Sequence, residues 1–168
     1  MMFVSCSRQF LPFQSTADPG ILKDADFQSF LAGGAQKNLD TGLKRPKHII
    51  KTAEKYMGTP HCMGGTTPKC LDCSGLTYLS FAAHRIELPR RSQDQARLGR
   101  IVADRNRLKR GDLVFFTRSY ATADYITHVG IFLGDNLFLH ASTSRGVIVT
   151  GLDDPWWSQR FVFGTRVF

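Results

Sequence analysis

The chain has 168 residues, room for one domain and little more. Hydrophobic residues make up 42% and charged residues 21%, a balance that supports an ordinary core and excludes wholesale disorder, and no uninterrupted apolar stretch approaches the ~18 residues of a membrane span. A net charge of +8 points first to anionic partners (nucleic acid, anionic lipid or an anionic wall polymer), while four cysteines are too few for a disulfide-packed miniprotein of this length.

Residues 1–45 are mixed in character. Phe3-Val4-Ser5-Cys6 looks like the tail of a bacterial lipoprotein signal, in which a small residue precedes the Cys that takes the lipid; otherwise it is an ordinary disordered start. Asp18-Pro19 is expected to open a short helix carrying Ile21, Leu22, Phe27, Phe30 and Leu31, ended by Gly33-Gly34, with a polar linker to Lys47. This segment is read as an extension that packs on, or tethers, a domain spanning residues 46–168.

Pro46 to Met57 places Ile49, Ile50, Ala53, Tyr56 and Met57 at helical spacing, ended by Gly58. A loop rich in Gly, Thr and Pro leads to Asp72, which sits where an N-cap belongs. From Cys73 to about Ile86, Leu76, Leu79, Ser80 and Ala83 share one face of a largely buried helix, and a third short helix is expected from Ser92 to Leu98. After Gly111 the period changes. Leu113–Thr117, His128–Leu133, Leu137–Ala141, Val147–Thr150 and Phe161–Val167 read as strands, separated by Gly134-Asp135-Asn136, Ser144-Arg145-Gly146 and other turn residues. Helices first and strands afterwards predict an α+β fold with an antiparallel sheet of about five to six strands.

The positive charge is concentrated. Arg90 to Arg118 holds nine basic and three acidic residues. No aromatic residue lies between Arg90 and Asp112, so stacking platforms for single-stranded nucleic acid are missing where the charge is. No zinc-finger or basic-zipper spacing occurs either. The segment reads as a solvated helix-and-loop face or an anion-binding site, and not as a nucleic-acid interface.

Cys73 falls at the first turn of its helix, where backbone N–H groups and the helix dipole favour a thiolate and lower a thiol pKa. A Cys alone at a helix start is as often a buried apolar residue, so it needs a base. With Gly134-Asp135-Asn136 as a three-residue hairpin loop, Leu133 pairs with Leu137. His140 then lies opposite Gly130, diagonal to His128 on the same face and roughly 7–8 Å away between backbones. A two-residue loop would shift the register by one and separate the rings. The geometry permits a relay of Cys73 as nucleophile, His128 as general base and His140 as its orienting group; spacing alone equally allows two unrelated sheet histidines.

Asp72-Cys73-Ser74-Gly75 resembles the nucleophile motif of the NlpC-type cell-wall cysteine peptidases, a papain-like family. Five further segments resemble that family in the same order. They are Gly58-Thr59-Pro60 with Gly64-Gly65, Leu88-Pro89-Arg90 with Ser92 and Gln95, Gly111–Phe116, His128–Gly134, and His140-Ala141-Ser142. Together they cover about residues 46–168. The resemblance implies a papain-like domain hydrolysing a peptide bond in the peptidoglycan stem peptide. Cys73, His128 and His140 would be the catalytic residues, and the Cys73 backbone N–H would help hold the oxyanion. Asp72 and Ser74 would lie near the substrate, with Ser92 a further candidate; Asp72 equally suits a pure helix cap. No metal or cofactor enters this reading.

Two departures from the family pattern stand out. His61 replaces the usual Tyr near the oxyanion, and Cys70 stands where a small residue is usual, with Cys62 nearby. His61, Cys62, Cys70 and Cys73 can also be read as a zinc cluster, or Cys70 and Cys73 as a redox pair, though neither explains the histidine hairpin. A Cys62–Cys70 disulfide suits an oxidising envelope and would stiffen the loop before the nucleophile. Trp156 and Trp157 read as core packing or as a stacking platform for the substrate, and His48 and His84 as surface or packing residues. The expectation is a monomeric peptidoglycan endopeptidase of the cell envelope or secreted, touching membrane only through a lipid on Cys6. Its rivals are an amidase or acyltransferase of the same thiol fold, a secreted antibacterial wall hydrolase, and a non-catalytic wall-binding module.

Overall fold

A computed structural model describes residues 24–168; Cys6, Ile21 and Leu22 lie outside them. Helix α1 (Ala25–Ala32) starts at Asp24, whose Oδ1 accepts the N–H groups of Asp26 and Phe27 at 2.8 and 3.0 Å, and it ends at Gly33 as expected. Phe27 and Phe30 bury their rings against Phe163, each at 5.7 Å between centroids, so this helix shares the main core with the sheet.

Helix α2 (Pro46–Glu54) has proline at its first position, where a missing N–H costs nothing, and buries Ile49, Ile50 and Ala53. It stops a turn earlier than its periodicity suggests. The chain turns there to the edge of the sheet: Gly58 N–H donates to the Val147 carbonyl and Val147 N–H to the Thr59 carbonyl, both at 2.9 Å. A two-residue hairpin, β1 (Thr66–Thr67) with β2 (Cys70–Leu71), leads into α3 (Cys73–Ala82). That helix also ends short of Ile86. Arg85 takes a left-handed conformation (φ 63°) and Ile86 N–H returns to the Phe81 carbonyl, folding Ile86 back into the core. Helix α4 is the single turn Ser92–Gln95.

Six antiparallel strands form the sheet: β3 (Arg100–Val102), β4 (Leu113–Phe116), β5 (His128–Gly134), β6 (Leu137–Ser142), β7 (Gly146–Gly151) and β8 (Phe161–Arg166), in the order β3-β8-β4-β5-β6-β7. This is the expected α+β architecture. The edge strand β3 and the hairpin β1–β2 escape sequence reading because two or three residues cannot display a period. Helices α1–α3 cover one face of the sheet. The other carries a smaller cluster of Val114, Phe116, Phe132, Phe138, Leu152 and Trp157 under α5 (Pro155–Ser158), which Asp154 caps.

The β5–β6 turn differs from expectation in an informative way. Gly134, not Leu133, pairs with Leu137, leaving Asp135-Asn136 as a two-residue loop with both residues left-handed (φ 48° and 61°). A bulge between Phe132 and Gly134 absorbs the odd residue. Ile131 still faces Leu139, the register that keeps His128 and His140 on one face.

Replacing Phe163 by Ala removes a fully buried ring that touches Phe27, Phe30 and Phe115. We expect a loss of about 3–5 kcal/mol in urea unfolding, and earlier proteolytic release of α1 than in the wild-type protein.

Candidate active site

One cleft of about 740 Å³ brings together Cys73, His128, His61, Asp72, Ser74 and Ser92. His140 lies behind its wall, fully buried. Cys73 is held at the first turn of α3 by Asp72. Asp72 Oδ1 accepts from Gly75 N–H at 2.6 Å and from the Ser74 hydroxyl at 3.2 Å; its Oδ2 accepts from Gly64 N–H at 2.9 Å and from Arg90 at 2.6 Å. Arg90 also donates to Ser74 Oγ at 2.8 Å. Asp72 is therefore a helix cap that also pairs with Arg90, and its Oδ2 restrains the loop before Cys73. Gly75 completes that restraint: a β-carbon there would lie 2.0 Å from the Gly65 carbonyl oxygen, so only glycine lets the helix start lie against the loop.

Cys62 and Cys70 form a disulfide with their Cα atoms 5.5 Å apart, leaving Cys73 as the free thiol among the described residues. That pairing corrects both metal and redox alternatives, since neither Cys62 nor Cys70 is available as a zinc ligand and Cys70 is not bonded to Cys73. The bond links the residue after His61 to the strand that leads into the nucleophile. Among the remaining sequence candidates, Ser92 donates to the Ile126 carbonyl at 3.3 Å.

The histidines form a chain. His128 Nε2 lies 2.9 Å from His140 Nδ1, and His140 Nε2 lies 3.0 Å from Thr150 Oγ1. Two proton arrangements satisfy these contacts. If His140 donates from Nε2 to the Thr150 hydroxyl, its Nδ1 accepts from His128 Nε2–H, and His128 Nδ1 keeps a free lone pair. The opposite arrangement puts a proton on Nδ1 and leaves His128 unable to act as a base. Trp157 packs on both rings, 4.5 Å from His128 and 4.7 Å from His140 between centroids, and Phe138 stacks on His140 at 4.5 Å. Trp157 is thus core packing that also meets the cleft wall, and Trp156, 44% exposed, lines the same cleft.

Burial sets the charge states. His128 is drawn well below the ordinary histidine value, first by desolvation and then by His140. His140 is pushed down to about 3, by burial and then by the Arg145 charge. The Cys73 thiol moves opposite to the sequence expectation. Burial and the adjacent Asp72 carboxylate push it up to about 11, outweighing the backbone N–H groups of Val129 and Ser74 that favour the thiolate. These directions favour a neutral thiol beside two neutral imidazoles at neutral pH.

Five of the basic residues in the segment Arg90–Arg118 are engaged within the fold. Arg90 and Arg91 line the cleft but pair with Asp72 and Asp124. Arg97 donates to the Phe30 and Gly34 carbonyls, Arg105 to that of Leu152 and Arg110 to that of Leu133. Sequence reading names Arg90 only within the Leu88-Pro89-Arg90 motif and does not single out Thr150. Thr150 was reachable: it lies two residues beyond Ile148, which faces His140 across β6 and β7, and so is the diagonal neighbour.

The charge states can be measured in two ways. His140 has a folded pKa below its unfolded value, so the stability it contributes is complete above pH 6.5 and is lost as pH falls toward 3. Urea unfolding at pH 7 and pH 4 should show wild type losing on the order of a few kcal/mol more than His140→Gln across that interval. Alkylation of Cys73 by iodoacetamide should climb steadily from pH 7 toward pH 11; a plateau already reached in weak acid would indicate a preformed thiolate instead.

A family model described as the NlpC/P60 family matches residues 58–166. The chain is 36% identical over 131 residues to a probable endopeptidase NlpC homolog of Haemophilus influenzae, covering 77% of this chain and 67% of that protein. It is 37% identical over 132 residues to the murein DD-endopeptidase MepS/murein LD-carboxypeptidase of Escherichia coli strain K12, covering 78% and 68%. Among solved structures it is similar to an NlpC/P60 family protein from Bacillus cereus, with a TM-score of 0.68 and 29% identity, over 76% of this chain but only 42% of that one. With the match spanning most of the α+β domain, the chain belongs to the NlpC/P60 family.

Proposed function

We propose that this protein is a peptidoglycan endopeptidase that cuts a peptide bond of the wall stem peptide by thiol catalysis, with Cys73 as nucleophile, His128 as general base and His140 as its orienting residue. The observation that carries the mechanism is the buried chain from Thr150 through His140 to His128, ending at the cleft that holds Cys73. The endopeptidase class is supported by family membership and by relatives named endopeptidases. Residues 46–168 are the catalytic domain on this reading, and residues 1–45 an extension. The substrate places the protein in the cell envelope or outside the cell. Lipidation of Cys6 and a monomeric state belong to the same proposal.

The chemistry begins with a neutral pair. As Cys73 sulfur bonds to the scissile carbonyl carbon, its proton passes to His128 Nδ1 and the carbonyl π electrons move onto oxygen. With a thiol pushed up to about 11 and an imidazole pulled down, separating charge before attack is uphill, so proton transfer and C–S bond formation proceed together. The resulting imidazolium is steadied by its Nε2–H bond to neutral His140. The Cys73 backbone N–H and the His61 side chain, which lines the cleft, are the donors proposed for the oxyanion. Collapse of the tetrahedral species expels the amine, which takes the proton from His128. A water molecule, deprotonated by His128, then hydrolyses the thioester, restoring the thiol and releasing the carboxylate product. Asp72, Ser74 and Ser92 are assigned to the substrate-facing wall.

Cys73→Ala and His128→Ala should each abolish release of muropeptide fragments from purified sacculi, read by mass spectrometry. His140→Ala should retain a measurable fraction, because it transfers no proton to substrate. The acid limb of kcat/KM should lie well below pH 6.5, since His128 must be neutral to act. Full activity in Cys73→Ala would rule out the thiol mechanism.

A further inference from the structure

Charge compensation in the cleft is uneven. Three of its lining residues are arginines. Arg90 is engaged by Asp72 and Ser74, and Arg91 by Asp124. Arg145 has no hydrogen-bond or ion-pair partner among the described residues. Asp154 also lines the cleft, but its Oδ1 is occupied by the N–H groups of Trp156 and Trp157. Arg145 lies in the turn that follows β6, the strand of His140, and Asp154 caps the helix of Trp157, which packs on both histidine rings, so both residues lie at the histidine end of the cleft.

The backbone that carries Arg145 is pinned. It sits in the turn that joins β6 to β7, where Ser142 pairs with Gly146. Gly146 is left-handed (φ 69°), and a β-carbon there would lie 2.3 Å from the Thr59 carbonyl oxygen, so the turn is pressed against the Thr59-Pro60 loop. The neighbouring N–H of Val147 donates to that same carbonyl at 2.9 Å. The backbone of this turn needs no further ordering on binding, so the cost that remains is that of the Arg145 side chain. The ring of Trp156, with Arg160 over it at 3.9 Å, supplies an apolar surface in the same cleft.

We propose that Arg145 is the binding site for a free carboxylate on the substrate, specifically the carboxylate of the residue that supplies the departing nitrogen. This rests on the endopeptidase reading and adds which part of the substrate is recognised. The departing nitrogen must reach His128 to take its proton, so the residue bearing it occupies the histidine end. The Arg145 turn continues β6 directly beyond His140 and Ser142. A guanidinium matches a carboxylate with two parallel N–H donors, which makes the contact selective for carboxylate over carboxamide.

Two synthetic stem-peptide substrates that differ only in a carboxylate or a carboxamide on the departing residue provide the test. Wild type should prefer the carboxylate in kcat/KM by roughly tenfold. Arg145→Ala should lose that preference chiefly by slowing on the carboxylate substrate; an unaltered urea-unfolding midpoint and an unaltered iodoacetamide alkylation rate of Cys73 show that the variant is folded with its thiol accessible. Arg145→Lys should retain part of the preference. If Arg145→Ala keeps the full wild-type preference, or wild type shows none, the carboxylate site is overturned while the endopeptidase reading stands. If wild type cleaves neither peptide, both fall.

Discussion

The hydrogen bond between His128 and His140 needs at least one neutral imidazole, because one ring nitrogen of the pair has to accept, and both rings are buried. Two cationic rings 2.9 Å apart would repel each other, and each would have to give up its hydration. Much of the architecture serves this condition. Phe138, Trp157 and Phe116 dry the wall, and the sheet register brings the two rings to one face. Thr150 gives the outer nitrogen of His140 a partner. A hydroxyl accepts or donates equally well, so the chain can polarise as His128 gains a proton without placing a buried carboxylate behind it. The third position of the relay thus acts through orientation and hydrogen bonding, where a carboxylate would have added charge.

The nucleophile side is arranged differently. There, solvation and charge oppose ionisation, and the backbone N–H groups at the helix start do not reverse that. The helix start contributes placement: Asp72, Gly75 and Arg90 fix the first turn of α3 against the loop that precedes it. On the proposed mechanism an anion is stabilised there chiefly once it sits on the substrate's oxygen, so the site is preorganised for the charge that develops during reaction and not for the charge of the resting thiol.

Most of this was legible in the chain. Helix positions, the five longer strands and the hairpin that aligns His128 with His140 follow from apolar periodicity and turn residues. The motif series around Cys73 fixes the family. What was not legible depends on long-range contacts. Helix α2 yields its last turn to the edge of β7, and α3 is closed by a non-glycine residue in a left-handed conformation, neither of which leaves a local signal. The basic run from Arg90 to Arg118 could be counted but not assigned. Arg90, Arg91, Arg97, Arg105 and Arg110 are directed to carbonyls and carboxylates far away in sequence, contacts that no local pattern displays. The thiol's upward shift was missed because a helix-start rule counts N–H groups but not the depth of burial.

The bulge in β5 constrains how this domain can drift over evolutionary time. The Asp135-Asn136 tip is polar and far from the chemistry, the kind of position where insertions and deletions are ordinarily absorbed. Here a single-residue change of length has to be matched by creating or erasing a bulge, or every side chain of β6 exchanges faces and His140 points away from His128. Selection on catalysis therefore acts on the length of this turn more strictly than on its composition, and related chains that alter the loop by one residue should carry a compensating irregularity in the adjoining strands.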